Sequence, residues 1–579
     1  VMANRISSLL ILRSILTSGL HRWCVELEAP IRSLRLNVRK TDLFYDAKPS
    51  FIFGDKDIGK ALLKGHFQNS EQNLDVGAQG DPWTLAVPSE QFARWLHSFH
   101  WLNDLAVTKD KYASVRARNL VDKWIEVYGK WNFFAWSPDI LSERIFNLLT
   151  VWSPLLDGDS LSNKAQIRRI SVVRQLKRLR YVYKQTSPGL HRLKAASALA
   201  IGGARIKEKT DGLLGRGLDW LDDEVNKQIL PDGGHISRSP EQALQALEIL
   251  LIVDSLLFKR GVEGSRTVSR AIDRLKSVLP FFCAADGTLS NFNGGGENHP
   301  KRLRAVMKAA PDLLTKPFGY CPHTGYQRVS SAGTVMIIDT GDTPPTPFDN
   351  QAHLAPGSFE LSTKVGRLVV NCGWNRQQPR KFKKFVRNTA AHSTLVINNR
   401  SAGEILKDGW LAKILGDVVI SEAGPVTVSR KEQDSGTWVE VSHGGYRRKI
   451  GLSHKRRIYM SIEGDDVRGE DTLLVPLGKV PLSKDERPYD IRFHFHPDVR
   501  VSLSQDQKSA LLIQAGKTGW RFRTDHGPIK IENSLYLGSG TSPRKCKQIV
   551  ISGNAFCDSD GETLSNKVRW SFRKLEARN

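Results

Sequence analysis

The stretch Phe348–Asn399, FDNQAHLAPGSFELSTKVGRLVVNCGWNRQQPRKFKKFVRNTAAHSTLVINN, decides how the rest of the chain is read. It gathers two histidines (His353, His392), two amides (Gln351, Asn371) and a basic block (Arg376, Arg380, Lys381, Lys383, Lys384, Arg387) among short β-type runs. Phe359–Leu361 and Leu368–Val370 flank Gly366-Arg367 as two extended runs joined by a turn, and Thr394–Ile397 is a third, β-branched run. Gln351 and His353 stand two apart, so they share a face if the segment is extended.

Upstream of this stretch the pattern is helical. Gln91 to Leu105 carries Phe92, Trp95, Leu96, Phe99 and Leu102 at the spacing of one apolar helical stripe. Comparable stripes recur around 112–128, 140–152, 165–183, 190–204, 211–228 and 240–258, joined by short loops, which predicts serial antiparallel helical hairpins. Residues 51–85 read instead as turns and short extended pieces. Ser239, Pro240 and Gln242 supply an N-cap, a first-turn proline and the glutamine of a capping box, so a helix is expected to begin near Pro240. That leaves Asp232-Gly-Gly-His235-Ile-Ser-Arg238 as the loop entering a helix N-terminus, where N–H groups and the dipole favour anions. The same residues also suit a tight turn with a packed histidine and a solvated arginine.

From Tyr326 onward the chain changes character. Short β runs starting with Thr334–Asp339 alternate with turn residues, the spacing of a large antiparallel sandwich. The expected fold is α+β with two domains, helical over 1–325 and β over 326–579. Within the β part, Arg492-Phe-His494-Phe-His496 places both histidines on one side of a strand, a spacing that can hold a metal but, without a third ligand in view, reads as a structural pair.

The central stretch resembles the signature of the heparinase II/III-like polysaccharide lyases, whose usual form runs H-x-H-A-D-x-L-S-F-E-L, then D-x-G, then T-A-A-H-N-T. Here the pieces read QAHLAPGSFEL (351–361), VVNCG (369–373) and TAAHST (389–394). Gln351 stands where the family has its first histidine, Ala355 where it has the first aspartate and Asn371 where it has the second. The resemblance implies an incomplete α/α toroid followed by a β supersandwich with the site between them. It also implies β-elimination on a uronate-containing acidic polysaccharide such as a glycosaminoglycan.

Such a lyase needs a clamp for the carboxylate, a base for the neighbouring proton and an acid for the leaving oxygen. The candidates are His235 as base, Arg238 and Gln351 as clamps, and Arg387, Arg144, Asn147 and Asn293 as substrate contacts. Arg144 and Asn147 stand three apart on one helix, where structural hydrogen bonding is the other reading. Asn293 lies in a glycine-rich loop lacking a nucleotide-binding pattern. Relatives that hold a metal imply His353, Asn371 and His392 as ligands for zinc or calcium; a hydrogen-bonded core network of His353 and His392 is the other reading. The alternative function is a non-catalytic binder of anionic glycan that keeps the lyase fold.

Over 579 residues, Lys plus Arg number 85 against 60 Asp plus Glu, a net charge of +25. Polyanions are therefore the expected partners: acidic polysaccharide, nucleic acid or anionic lipid. No helix-turn-helix, zinc-finger or RNP pattern accompanies the charge. Six cysteines without a C-x-x-C pair suggest neither a zinc ribbon nor a disulfide framework, and a reduced compartment is the simpler expectation. SSLLILRSILTSGL near the start is broken by Arg13, which suits a basic amphipathic helix better than a signal peptide or a membrane span. Cytoplasm and cell envelope both stay open.

Overall fold

The computed structural model describes residues 36, 38, 41, 43–158, 160–207, 212–297, 300–309, 317–375, 378–475, 487–515, 518–555 and 566–575. The basic segment at the start, Arg376, Cys24 and Cys557 lie outside them. The helical part is an incomplete toroid of hairpins. Its main helices are Ala113–Tyr128, Pro138–Thr150, Asn163–Val182, Leu190–Arg205, Leu213–Gln228, Pro240–Lys259 and Arg266–Val278. Their apolar stripes merge into one core that includes Trp101, Trp124, Trp152, Leu199 and Leu247. The helix expected at Pro240 starts there, with Ser239 Oγ accepting the Gln242 N–H at 3.4 Å.

One upstream expectation changes. Within 51–85 the chain forms a helix, Lys56–Leu63, before the hairpin His66–Asn69 and Gln72–Asp75. The Asp55 carboxylate accepts the N–H groups of Asp57 and Ile58 and so closes the helix start, while Leu62 is buried. An eight-residue helix carries too little periodicity to stand out among turn residues.

After the helix Pro300–Lys308, the first sandwich strand is Tyr320–Cys321. The sheet facing the helices runs, in spatial order, Ile529–Tyr536, Arg544–Ala555, Arg487–Phe495, Gly366–Val370, Phe359–Thr363, Thr334–Asp339, Tyr326–Ser331 and Tyr320–Cys321. Leu395–Ile397 pairs off Arg487–Phe495. The second sheet runs Thr427–Gln433, Gly436–His443, Ser453–Ser461, Asp466–Leu474, Lys567–Lys574, Gly519–Thr524, Ser509–Ile513 and Arg500–Leu503. All pairings are antiparallel. Between the sheets Phe359 stacks on Trp570 at 5.6 Å, and Phe493 meets the same indole edge-on at 4.8 Å.

The motif pieces bind this architecture together. Phe359 faces the sandwich core, while its neighbour Glu360 turns toward the helices. There it accepts the Asn291 N–H and pairs with Arg367 at 3.0 Å. Arg367 also reaches the Leu289 carbonyl, and Arg328 donates to the carbonyls of Phe281 and Cys283. The two domains therefore meet across a dense polar layer.

Candidate functional site

His353 and His392 sit at the centre of that layer, 4% and 0% exposed, with His392 Nε2 2.8 Å from His353 Nδ1. His392 Nδ1 lies 2.9 Å from the Asn388 carbonyl, which places its proton there and leaves Nε2 as acceptor for His353 Nδ1–H. His353 Nε2 in turn accepts the Gly294 N–H at 3.1 Å, and the Asn293 N–H lies 3.1 Å from Nδ1. Burial first, then His392 and the guanidinium groups of Arg387 and Arg238, keep His353 far below the usual histidine range. Burial lowers His392 to about 4, against the pull of the Asn388 carbonyl. Both rings are neutral at physiological pH and have their nitrogens engaged by protein.

The loop supplying those N–H groups is conformationally demanding. Asn293 and Arg238 both adopt left-handed backbone, at φ +51 and +60. They support one another: Asn293 Nδ2 donates to the Arg238 carbonyl at 3.3 Å and to Tyr326 Oη at 2.6 Å, while Asn293 Oδ1 accepts the His353 N–H at 2.8 Å. Tyr326 Oη donates to the same Arg238 carbonyl at 2.7 Å. Gln351 is half-buried above this loop; a Cβ at Gly294 would stand 2.2 Å from its Oε1. The structure thus brings together Gln351, His353, His392, Asn293, Arg238 and Arg387.

Each cation in the group is committed. Arg238 donates to the carbonyls of Thr324, Gly325, Gly341 and Asp342 and pairs with Asp339. Arg387 donates to the carbonyls of Ala352, Asp349 and Asp417. Neither guanidinium has a fork left for a sugar carboxylate in this arrangement.

The remaining sequence candidates lie apart. His235 is 1% exposed, its ring nitrogens 2.7 Å from Ser237 Oγ and 3.1 Å from Gln228 Oε1, and burial lowers it to about 3. Arg144 is inside the toroid, donating to Gln175 Oε1 and to the carbonyls of His97 and Ala135, with burial lowering it to about 9. Asn147 bonds the Ser98 carbonyl and Asn103. His494 bonds Ser534 and the Ala390 carbonyl, and His496 meets Glu297 at 3.1 Å.

For a metal, the donor set His353, Asn371 and His392 does not fit as arranged. The two imidazole nitrogens are 2.8 Å apart and hydrogen-bonded, whereas tetrahedral zinc ligands stand about 3.3 Å apart. Asn371 Oδ1 already accepts the Ser393 N–H at 3.0 Å, and its buried Nδ2, without a partner among the described residues, is a donor. Calcium asks for about six to eight oxygen ligands, and this set offers one, the Asn371 amide oxygen. Among the described residues no three His, Cys, Asp or Glu side chains converge as a metal site.

A polar cluster that sequence spacing did not single out is more accessible. The Glu143 carboxylate receives Lys194 Nζ at 3.2 Å and lies 2.7 Å from His100 Nε2 and 3.2 Å from His191 Nδ1. Both imidazoles are partly open, 33% and 42% exposed. Burial alone would raise Glu143, but Lys194 and then His100 hold it well below the usual carboxylate range. The cluster stands at the start of the helix Leu190–Arg205, whose cap Gly189 faces Phe348 at the opening of the motif stretch.

With this geometry in place, comparison with known proteins is informative. Residues 314–571 match the family model "Heparinase II/III-like, C-terminal". The chain is 33% identical over 527 residues to FtsZ-localized protein C of Caulobacter vibrioides, covering 90% of this chain and 88% of that protein. The chain belongs to the heparinase II/III-like family. It is also 23% identical over 369 residues to the heparin-sulfate lyase of Pedobacter heparinus, spanning about half the length of each, 55% and 54%. Among solved structures it resembles heparinase III, with TM-score 0.66, 14% identity and coverage of 97% and 91%. It likewise resembles the heparan sulfate lyase HepC of Pedobacter heparinus, with TM-score 0.58, 15% identity and coverage of 98% and 91%. Those likenesses establish the heparinase-type toroid and sandwich. No helix among the described residues is long and apolar enough to cross a membrane.

Proposed function

We propose that this heparinase-fold chain binds an acidic glycan without cleaving it and localises with the FtsZ assembly. The observation that supports the absence of cleavage is the closed state of the motif site, while binding is supported by the net charge of +25 and the family fold. Gln351 replaces the histidine that the family resemblance ties to catalysis, and an amide takes up no proton in the range where a base must act. His353, His392 and His235 have their ring nitrogens bonded within the protein and are held neutral by burial. Arg238 and Arg387 are spent on backbone carbonyls. The second half is supported by 33% identity over most of the chain to a protein named for its localisation with FtsZ.

The test combines two measurements. Purified protein incubated with heparan sulfate, hyaluronan and alginate should give no ultraviolet absorbance from unsaturated uronate, yet show salt-sensitive retention on the same glycans. A fluorescent fusion should move to the division site only when FtsZ is assembled. Rising absorbance, or a fusion indifferent to FtsZ, overturns the corresponding half.

A second reading, a lyase with a relocated acid–base set, is favoured by the Glu143 cluster alone. Its two partly open imidazoles flank an ionised carboxylate beside the domain junction. Absorbance that disappears in His191→Ala but survives in His235→Ala would establish it.

A further inference from the structure

The outer face of the second sheet carries a groove far from the motif site. Its cavity volume is about 470 Å³, within the range of small-molecule sites. Gly469 and Trp570, directly paired across two strands, contribute backbone to its floor, with the indole turned into the sandwich core. Above that floor the outward positions of four neighbouring strands are rich in arginine: Arg457, Arg468, Arg569, Arg573, Arg521 and Arg523. Asp466 holds Arg468, Glu470 holds Arg569 and Glu440 holds Arg457. Arg521, Arg523 and Arg573 have no carboxylate within ion-pair distance among the described residues, and all three are exposed. Arg521 and Arg573 are directly opposed in the ladder, with Arg523 two residues along on the same face. On its other side Arg573 is directly opposite Asp466, a carboxylate already engaged by Arg468, so the Arg521–Arg573 opposition is only partly offset within the ladder.

We infer that this groove is a second anion site and that its ligand is a short uronate- or sulfate-bearing oligosaccharide. The lining chooses among polyanions. Asp466, Glu470 and Asp525 lie beside the arginines, together with the hydroxyls of Thr524 and Ser571. Carboxylates repel a dense polyphosphate, but they accept hydrogen bonds from sugar hydroxyls while the guanidinium groups take the acidic substituents in bidentate pairs. Trp438 lines the end of the groove beside Tyr459, ring centres 4.9 Å apart, and the Arg457 guanidinium lies over its ring at 4.9 Å, which holds that arginine at the groove rim. A bilayer surface is flat and does not enter a groove. The site deepens the glycan-binding reading by adding a contact for the same class of ligand, and it is independent of the domain junction.

The experiment titrates the full chain by calorimetry with size-defined heparin and alginate oligosaccharides. Arg521→Gln/Arg573→Gln should bind roughly tenfold more weakly, the loss of two charge-assisted contacts. Its melting temperature should stay level, because the lost Arg521–Arg573 repulsion is offset by the lost charge facing Asp466. Lys111→Glu/Lys130→Glu on the helical domain changes net charge by more and should leave affinity unchanged. Gln351→Ala tests the domain junction separately: if it alone abolishes binding, the groove is overturned while the binding reading stands. If the paired arginine variant alone weakens binding, the groove stands and the junction site falls. Equal losses in the lysine control, no binding by the unaltered chain, or arginine-dependent capture by anionic vesicles or an acidic peptide in preference to the oligosaccharides would each overturn the assignment.

Discussion

Two arginine-rich regions of this molecule obey opposite rules. At the domain junction, Arg238, Arg367 and Arg387 are buried, and carbonyls and carboxylates of the protein itself take up their donors. On the outer sheet, Arg521, Arg523 and Arg573 are exposed and unpaired among the described residues. A buried charge left without partners costs several kcal/mol, so the junction had to be completed internally. An exposed charge carries no such demand. The region that looks most like a site in sequence is thus built as structure, and the region without a motif retains unspent donors.

The largest effect expected from this contrast is in stability. Arg238→Ala should cost about 3–5 kcal/mol in denaturant unfolding, since it strands Asp339 and several carbonyls, whereas Arg523→Ala should stay within about 0.5 kcal/mol. Similar costs for the two would erase the distinction.

Acid should act on the junction next. His392 is lowered to about 4, so between about pH 6.5 and 4 the unfolded chain binds a proton that the folded chain refuses. Stability therefore falls as pH drops through that window, by on the order of 3 kcal/mol for this ring. Glu297, lowered to about 2 by His496 and Arg367 against the opposing effect of burial, loses its contribution only below about pH 4.5. Urea midpoints measured from pH 7 to 4 read the histidine effect, and His392→Gln should flatten the slope.

A smaller effect concerns metal. The unaltered chain should melt at the same temperature with and without zinc, while Asn371→Asp, which restores a carboxylate beside His353 and His392, should gain about 1–3 kcal/mol at saturating zinc. A zinc-dependent rise in the unaltered chain would mean that the histidine pair opens to admit the ion. The smallest is on the outer face: Arg573→Gln alone should change stability by less than about 0.5 kcal/mol, because relief of the Arg521 repulsion is offset by loss of the charge facing Asp466.

Much of the architecture was legible because it rests on periodicity. The stripe Phe92, Trp95, Leu96, Phe99 announced helical packing, the Ser239-Pro240 pair marked a helix start that the structure reproduces, and the S-F-E-L and T-A-A-H pieces pointed to the family fold. The commitments of the polar residues were not legible. Arg238, Arg387 and Arg144 bind backbone carbonyls, which every residue possesses and no sequence pattern advertises. Glu143 carries no sequence signal of its own, because its partners His100, His191 and Lys194 come from positions up to 51 residues away. The groove arginines were hidden for a similar reason: Arg521 and Arg573 meet only through strand pairing.

Arg238 has one more consequence. Its carbonyl is held by Asn293 of the helical domain and by Tyr326 of a sandwich strand, while its side chain is fixed by carbonyls at 324, 325, 341 and 342, where the sandwich begins. Neither domain can complete its own polar layer with the other absent. Architecture counts two bodies here, but cooperativity counts one: heating should melt toroid and sandwich in a single calorimetric transition, with the helical hairpins holding no stability of their own once the sandwich lets go.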